Sequence, residues 1–188
     1  LAGESIATGR WTAAKKDAIR RSRVDSTRLL CEGMAKLQSP PAALLCASAV
    51  GYYGNRGAER LTEESPAGSG FLAGVCVEWE GAADVARQKG LRVVHLRFGA
   101  VLSPRGGALA KLAGVFRMGG GGRVGDGSQY LSWASLEDAV SAILHLLERQ
   151  EVRGPVNVAS PGAVTNVDLV KTLGKVLHRP TMLPLPAF

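Results

Sequence analysis

The chain has few aromatic residues, 5% of its 188 positions, and few cysteines, three in all. No apolar stretch is long enough to span a bilayer, and no membrane partner is expected. The opening residues Leu1-Ala2-Gly3-Glu4-Ser5 lack both an initiator Met and a signal-peptide pattern. Cys31, Cys46 and Cys76 show neither CxxC nor metal-ligand spacing and lie in apolar segments, so reduced core thiols and a cytoplasmic location are expected. His95, His145 and His178 are too widely spaced to suggest a metal site. Internal repeats and low-complexity linkers are absent as well.

Acidic excess is also missing: 23 Lys and Arg against 16 Asp and Glu leave a net charge of +7. Arg10, Lys15, Lys16, Arg20, Arg21 and Arg23 cluster near the start, but no nucleic-acid recognition motif accompanies them. A solvated helix face with one or two residues turned toward a phosphate explains the cluster better, and no nucleic-acid partner is expected. What the chain does have is an ordinary globular composition, 46% hydrophobic and 21% charged. It also has 24 glycines, which point to tight loops near ligands rather than disorder.

Thr12 to Leu37 reads as a long helix, with Thr12 as N-cap and Ser39-Pro40-Pro41 as its stop. The all-apolar run Ala42 to Ala47 reads as a strand buried on both faces, emptying into a loop that contains Ser48. Gly51 to Gly70 is loop. Phe71 to Lys89 is a second helix ended by Gly90, and Leu91 to Arg97 is the next strand. A helical stretch follows from Gly106-Gly107 through Phe116, then the four-glycine turn Gly119 to Gly122 and a short extended piece from Gln129 to Trp133. Ser135 to Arg149 is a helix with Ser135 and Asp138 in a capping-box-like spacing. Pro155 to Ala159 is a strand, and Asn166 to Leu177 is the last helix. Strands alternating with helices imply an α/β protein with a parallel sheet.

Several segments together carry a family resemblance. They are Leu1-Ala2-Gly3, Ser22-Arg23-Val24, Ala47-Ser48-Ala49-Val50-Gly51-Tyr52-Tyr53-Gly54, Leu61 to Pro66, Arg97-Phe98-Gly99-Ala100-Val101-Leu102, and Gly154-Pro155-Val156-Asn157-Val158. In these the chain resembles the extended short-chain dehydrogenase/reductases. Arg10-Trp11-Thr12, Phe71-Leu72-Ala73 with Cys76, Trp79-Glu80, and Gln129 with Ser132-Trp133 resemble its branch of NAD(P)-dependent sugar-nucleotide-epimerase-like proteins, the atypical epimerase/dehydratases.

The resemblance implies a Rossmann-type doubly wound parallel sheet with a smaller C-terminal substrate lobe. Residues 1–101 would be the later part of the cofactor domain. Residues 102–188 would hold the lobe and elements returning to the sheet. No glycine-rich phosphate loop precedes the first helix. A βαβ unit takes about 30 residues, so the expectation is that roughly 50 or more residues of the fold, including its N-terminal strands, lie outside this sequence. Expressed alone, with an open sheet edge, the chain is expected to be poorly soluble.

The family's chemistry uses a Ser or Thr with a Tyr and a Lys four residues apart on one helix face. The lysine lowers the phenol's pKa and holds the ribose, and the phenolate exchanges a proton at the substrate. Anchoring on Glu80 puts Leu72 and Cys76 at the Tyr and Lys positions, and neither side chain can do that work. Ser48 is the candidate to polarise a reacting oxygen. Tyr52 is a candidate acid/base or a packing residue, and Glu80 reads as a structural partner for an arginine. The resemblance places Leu1, Ala2, Ala18, Arg23, Ser48 and Val101 beside the cofactor, with Arg23 either forking onto a phosphate or solvated. It places Gln129 and Trp133 toward substrate. The glycine turn and Arg123 are either a substrate-side loop or a flexible connection.

The implied cofactor is NADP or NAD. The leading expectation is an oxidoreductase or epimerase-like enzyme acting on a nucleotide sugar or small carbonyl compound, with a homodimer left open. The rival is a non-catalytic NADP(H)-binding regulator, akin to relatives named as cell-division inhibitors.

Overall fold

The computed structural model of the protein describes residues 3–181. Within them the chain divides into two compact units.

Among the described residues the first unit comprises 3–56, 60–97 and 143–157. Helix α1, Ala13–Met34, starts where Thr12 accepts a bond from the Lys15 amide at 3.2 Å, a cap that contributes about 1 kcal/mol. It stops three residues before Leu37. The chain turns at Gly33 and Met34, whose carbonyls accept from the amides of Lys36 and Leu37. Strand β1, Ala43–Ala49, continues past the expected Ala47, so Ser48 is a strand residue rather than a loop residue. A single 3₁₀ turn, Val50–Tyr53, follows it. The expected helix Phe71 to Lys89 is two helices, α2 (Phe71–Gly81) and α3 (Asp84–Gln88). The chain bends at the buried pair Ala82-Ala83, just after Gly81, the weakest helix former of α2's last turn. Strand β2, Arg92–Phe98, is buried at every position but the last.

β1, β2 and a later strand β6, Gly154–Val158, form a sheet in the order β1-β2-β6. The architecture is α/β and Rossmann-like, a parallel sheet flanked by helices. Alternation along β2 explains the flanking. Val93 packs with Leu91, Cys31 of α1 and Ala83 and Ala86 at α3, while Arg92 points the other way, into the end of helix α5, Leu136–Glu148.

The second unit comprises, among the described residues, 57–59, 98–142 and 158–181. Strands β3 (Ala100–Leu102) and β5 (Trp133–Ser135) pair in parallel, with Ala100 opposite Trp133. β4 (Tyr130–Leu131) pairs antiparallel with β7 (Val164–Thr165). The expected single extended piece at 129–133 is therefore split between two partners. Gly99 marks a close approach: a Cβ there would meet the Ser132 carbonyl oxygen at 2.7 Å. Helix α4, Gly107–Arg117, packs against α6, Asn166–Leu177. Ser135 caps α5 by accepting from the Asp138 amide at 2.9 Å.

Candidate functional site

β1 delivers Ser48 into the core of the first unit, where it is 3% exposed. Its hydroxyl donates to Glu80 Oε1 at 2.7 Å. Glu80 lies on the last turn of α2, and β2 brings Arg97, also 3% exposed, against it. The guanidinium forks: Nε donates to Oε1 and Nη2 to Oε2, both at 2.8 Å. Such two-pronged pairs are the strong form of a charge-assisted bond. The third nitrogen, Nη1, donates to the Tyr53 hydroxyl at 3.0 Å and to the Glu63 carbonyl at 3.3 Å. Tyr53 passes its own proton to Asn157 Oδ1 at 2.7 Å, and the Asn157 amide donates to Glu63 Oε1 at 2.8 Å. The Tyr52 ring stacks on the same guanidinium, 3.5 Å from Cζ to ring centroid, a cation–π contact.

This network fixes the charges. Burial pushes Glu80 up, but the hydrogen bonds from Arg97 and Ser48, with Arg97's charge, hold its carboxyl below the usual range. Burial also works against the Arg97 cation, and the bonds to Glu80 and Tyr53 more than restore it, so its pKa is raised overall. The 3₁₀ turn carrying the two tyrosines is clasped by Gly68. Its amide donates to the Tyr52 carbonyl at 2.9 Å, and a Cβ at Gly68 would lie 2.0 Å from the Tyr53 carbonyl oxygen.

One and two turns up the same helix face stand Cys76 and Leu72, four and eight residues before Glu80. Both border the turn after β1: Leu72 Cβ and Cys76 Sγ each lie 3.9 Å from where a Gly51 Cβ would sit. Burial raises the Cys76 thiol, so it is a neutral, poor proton exchanger at pH 7. Burial likewise pushes Cys46 up to about 11. The face that looks onto the end of β1 thus holds an alkyl group, a neutral thiol and a carboxylate already paired.

The other residues singled out in the sequence are not members of this hydrogen-bond network. Leu1 and Ala2 fall outside the described residues. Ala18 is exposed on α1. Arg23 donates through Nη1 to the carbonyls of Glu4 and Ile19, each at 3.1 Å, and packs 5.5 Å from the Trp79 ring. It lines a cavity of about 390 Å³ with Ser26, Thr27, Leu30 and residues 44–47 of β1. Val101, Gln129 and Trp133 belong to the second unit. There Gln129 Nε2 donates to the Val124 carbonyl at 3.0 Å and Trp133 Nε1 to the Gly162 carbonyl at 2.8 Å. Arg123 lies beside Val124, whose amide is held by Asn166 Oδ1 at 2.8 Å. Among the described residues no cluster of His, Cys, Asp or Glu could hold a metal ion, and no helix is long and apolar enough to cross a membrane.

Sequence reasoning singled out Ser48, Tyr52 and Glu80 but missed Glu63, Tyr53, Arg97 and Asn157 as members of one network. A signal existed: Glu63, Arg97 and Asn157 come from three separate segments that carry the family resemblance, and here they meet.

The sequence model of the NAD dependent epimerase/dehydratase family matches residues 1–159. An epimerase family protein of Mycobacterium bovis, Mb2239, is 44% identical over 187 residues, which cover all of this chain and 62% of that protein. The chain therefore spans less than two thirds of that relative's length. The crystal structure of the human epimerase family protein SDR39U1 with NADPH superposes with a TM-score of 0.91 at 33% identity, covering 99% of this chain and 64% of that one. A nucleoside-diphosphate sugar epimerase from Corynebacterium glutamicum superposes with a TM-score of 0.80 at 38% identity, covering 95% of this chain and 40% of that one. With a paired Glu80 and Arg97 under a helix face that has neither tyrosine nor lysine, the chain belongs to the NAD-dependent epimerase/dehydratase family.

Proposed function

We propose that this protein is an NADP(H)-binding member of the family that does not turn over a sugar nucleotide, and that it acts as a cofactor-responsive regulator. The observation that carries the reading is the α2 face: Leu72 and Cys76 border Gly51 where a proton-exchanging pair would be needed. Glu80 cannot replace that pair, because Arg97 and Ser48 hold it ionised. The apolar Leu72 and the neutral Cys76 suit packing against a nicotinamide ring. They offer no cation for the ribose hydroxyls, so affinity would come from the remainder of the cofactor. When bound, NADP(H) supplies a hydride-transferring ring. The NADPH held by the human relative favours the phosphorylated cofactor here.

The enzymatic reading gives Ser48 the reacting oxygen and Tyr52 the proton. Against it, the Ser48 proton already goes to Glu80 and the Tyr52 ring is stacked on Arg97. A thermal-shift titration of the intact protein with NADPH, NADP, NADH and NAD is the deciding experiment. Saturable stabilisation by the NADP pair is expected, because a ligand that binds the native state raises its stability. Product analysis should then show no conversion of a panel of sugar nucleotides, and absorbance at the reduced nicotinamide band should stay constant with small carbonyl compounds. Conversion of a sugar nucleotide, or net oxidation of NADPH, that disappears in Tyr52→Phe would restore the enzymatic reading. No shift with any of the four cofactors would sink both.

A further inference from the structure

His95 sits mid-strand in β2, between Val93 and Arg97 on the face that meets α2 and α3, and is 7% exposed. Its Nδ1 is buried and has no hydrogen-bond partner among the described residues. Neither tautomer satisfies that nitrogen, so the site carries a polar atom that folding leaves unpaired. The charged groups facing the ring are Glu80 from α2, Asp84 and Arg87 from α3, and Arg97 from its own strand. Both carboxylates are already engaged. Glu80 takes the fork of Arg97, and Asp84 pairs with Arg87 at 3.0 Å. A second proton on the imidazole would therefore create a buried cation whose neighbouring carboxylates each already serve an arginine. Burial is the largest influence and lowers the imidazole's pKa; Glu80 and Asp84 pull it up by more than Arg97 and Arg87 pull it down, and burial still prevails.

We propose that His95 is a proton-operated latch: neutral, it lets α2 and α3 seat on β2, and protonated, it drives that face open. The sign follows from linkage. The open or unfolded chain takes up the proton near the ordinary imidazole value of about 6.5, whereas the seated state takes it up only at lower pH. The folding constant is therefore full above about pH 6.5 and falls as pH drops, by up to about tenfold per pH unit. Ordinary carboxylates are still ionised between pH 7 and 5, and the other two histidines, His145 and His178, are exposed. Comparison with His95→Gln isolates the contribution of His95 in this window. The latch does not depend on any cofactor reading.

The test is urea unfolding of the intact protein at pH 7.0, 6.0 and 5.0, followed by tryptophan fluorescence. Trp79 on α2 reports on the face directly, because its indole donates to Thr27 of α1 at 2.9 Å. Wild type should lose on the order of tenfold in folding constant between pH 7 and 5, while His95→Gln should stay nearly flat over that range. Parallel losses in the two proteins, or a flat wild type, overturn the latch. If the variant fails to fold, NMR titration of the three wild-type imidazoles decides: His95 still neutral at pH 6 supports the latch, and a midpoint at or above 6.5 overturns it.

Discussion

Two arginines are buried on β2, and the fold satisfies them in opposite ways. Arg92 gives its guanidinium to the carbonyls of Leu146, Arg149, Val152 and Leu147, at 3.0 to 3.4 Å, around the end of α5. Its charge is met by the negative end of a helix dipole rather than by an anion. Arg97, five residues on and facing the other side, is met by a carboxylate fork, a phenol, a carbonyl and a stacked ring. Arg92 therefore acts as a helix cap that happens to carry charge. Arg97 is half of an ion pair whose members cannot be separated cheaply, since cutting one leaves the other charged and buried.

The sharpest break in the comparison comes from Glu80→Ala. It should destabilise by about 3–5 kcal/mol in urea unfolding, because Arg97 would remain buried without its anion. Replacing both members, Glu80→Leu with Arg97→Met, should cost less than that single change; a double variant as unstable as the single one would show that the pair is not the unit. Acid reaches the same pair. Glu80's carboxyl is depressed by Arg97 and Ser48, so its contribution is full above its ordinary value near 4.5 and is lost as pH falls below it. Glu80→Gln should erase that part of the acid limb, while Arg92→Ala should keep it, since Arg92 meets only carbonyls.

Arg92→Ala comes next in size. Losing its charged bonds to the carbonyls that end α5 should cost about 2–3 kcal/mol, with amide exchange accelerated at residues 146–152 before the remainder of the sheet. A loss equal to that of Glu80→Ala would erase the distinction between the two arginines. The smallest effect belongs to Ser48→Ala, about 1 kcal/mol, which removes one of three bonds to Glu80 and leaves the fork intact.

The contrast also separates what the sequence could disclose from what it could not. The caps at Thr12 and Ser135 were legible because the signal and the structure lie within three residues of each other. The α/β alternation and the strand at β2 were legible from apolar runs and glycine stops. The pairing of Glu80 with an arginine was legible as a need, but not as Arg97, because the partner is chosen by sheet topology. Arg92's role was illegible, as its carbonyls lie 54 to 60 residues away. Tyr52 drew notice over Tyr53 because both share one turn. Only burial distinguishes the phenol that bridges Arg97 and Asn157 from the ring that stacks. The break between α2 and α3 was missed because Ala82-Ala83 favour helix locally and are bent by their seat in the core.

The segment from Arg92 to Phe98 leads a second life before it is buried. Unfolded, as it is on leaving the ribosome, a seven-residue β-prone stretch without charge would be a nucleus for intermolecular cross-β stacking. In this one, arginines sit at the first and sixth positions and a histidine at the fourth. The two arginines act as gatekeepers in the nascent chain, repelling like copies of the strand. Once the helices arrive, α5's carbonyls and the Glu80 carboxylate neutralise the arginines, so the aggregation safeguard is dismantled by the same contacts that complete the fold.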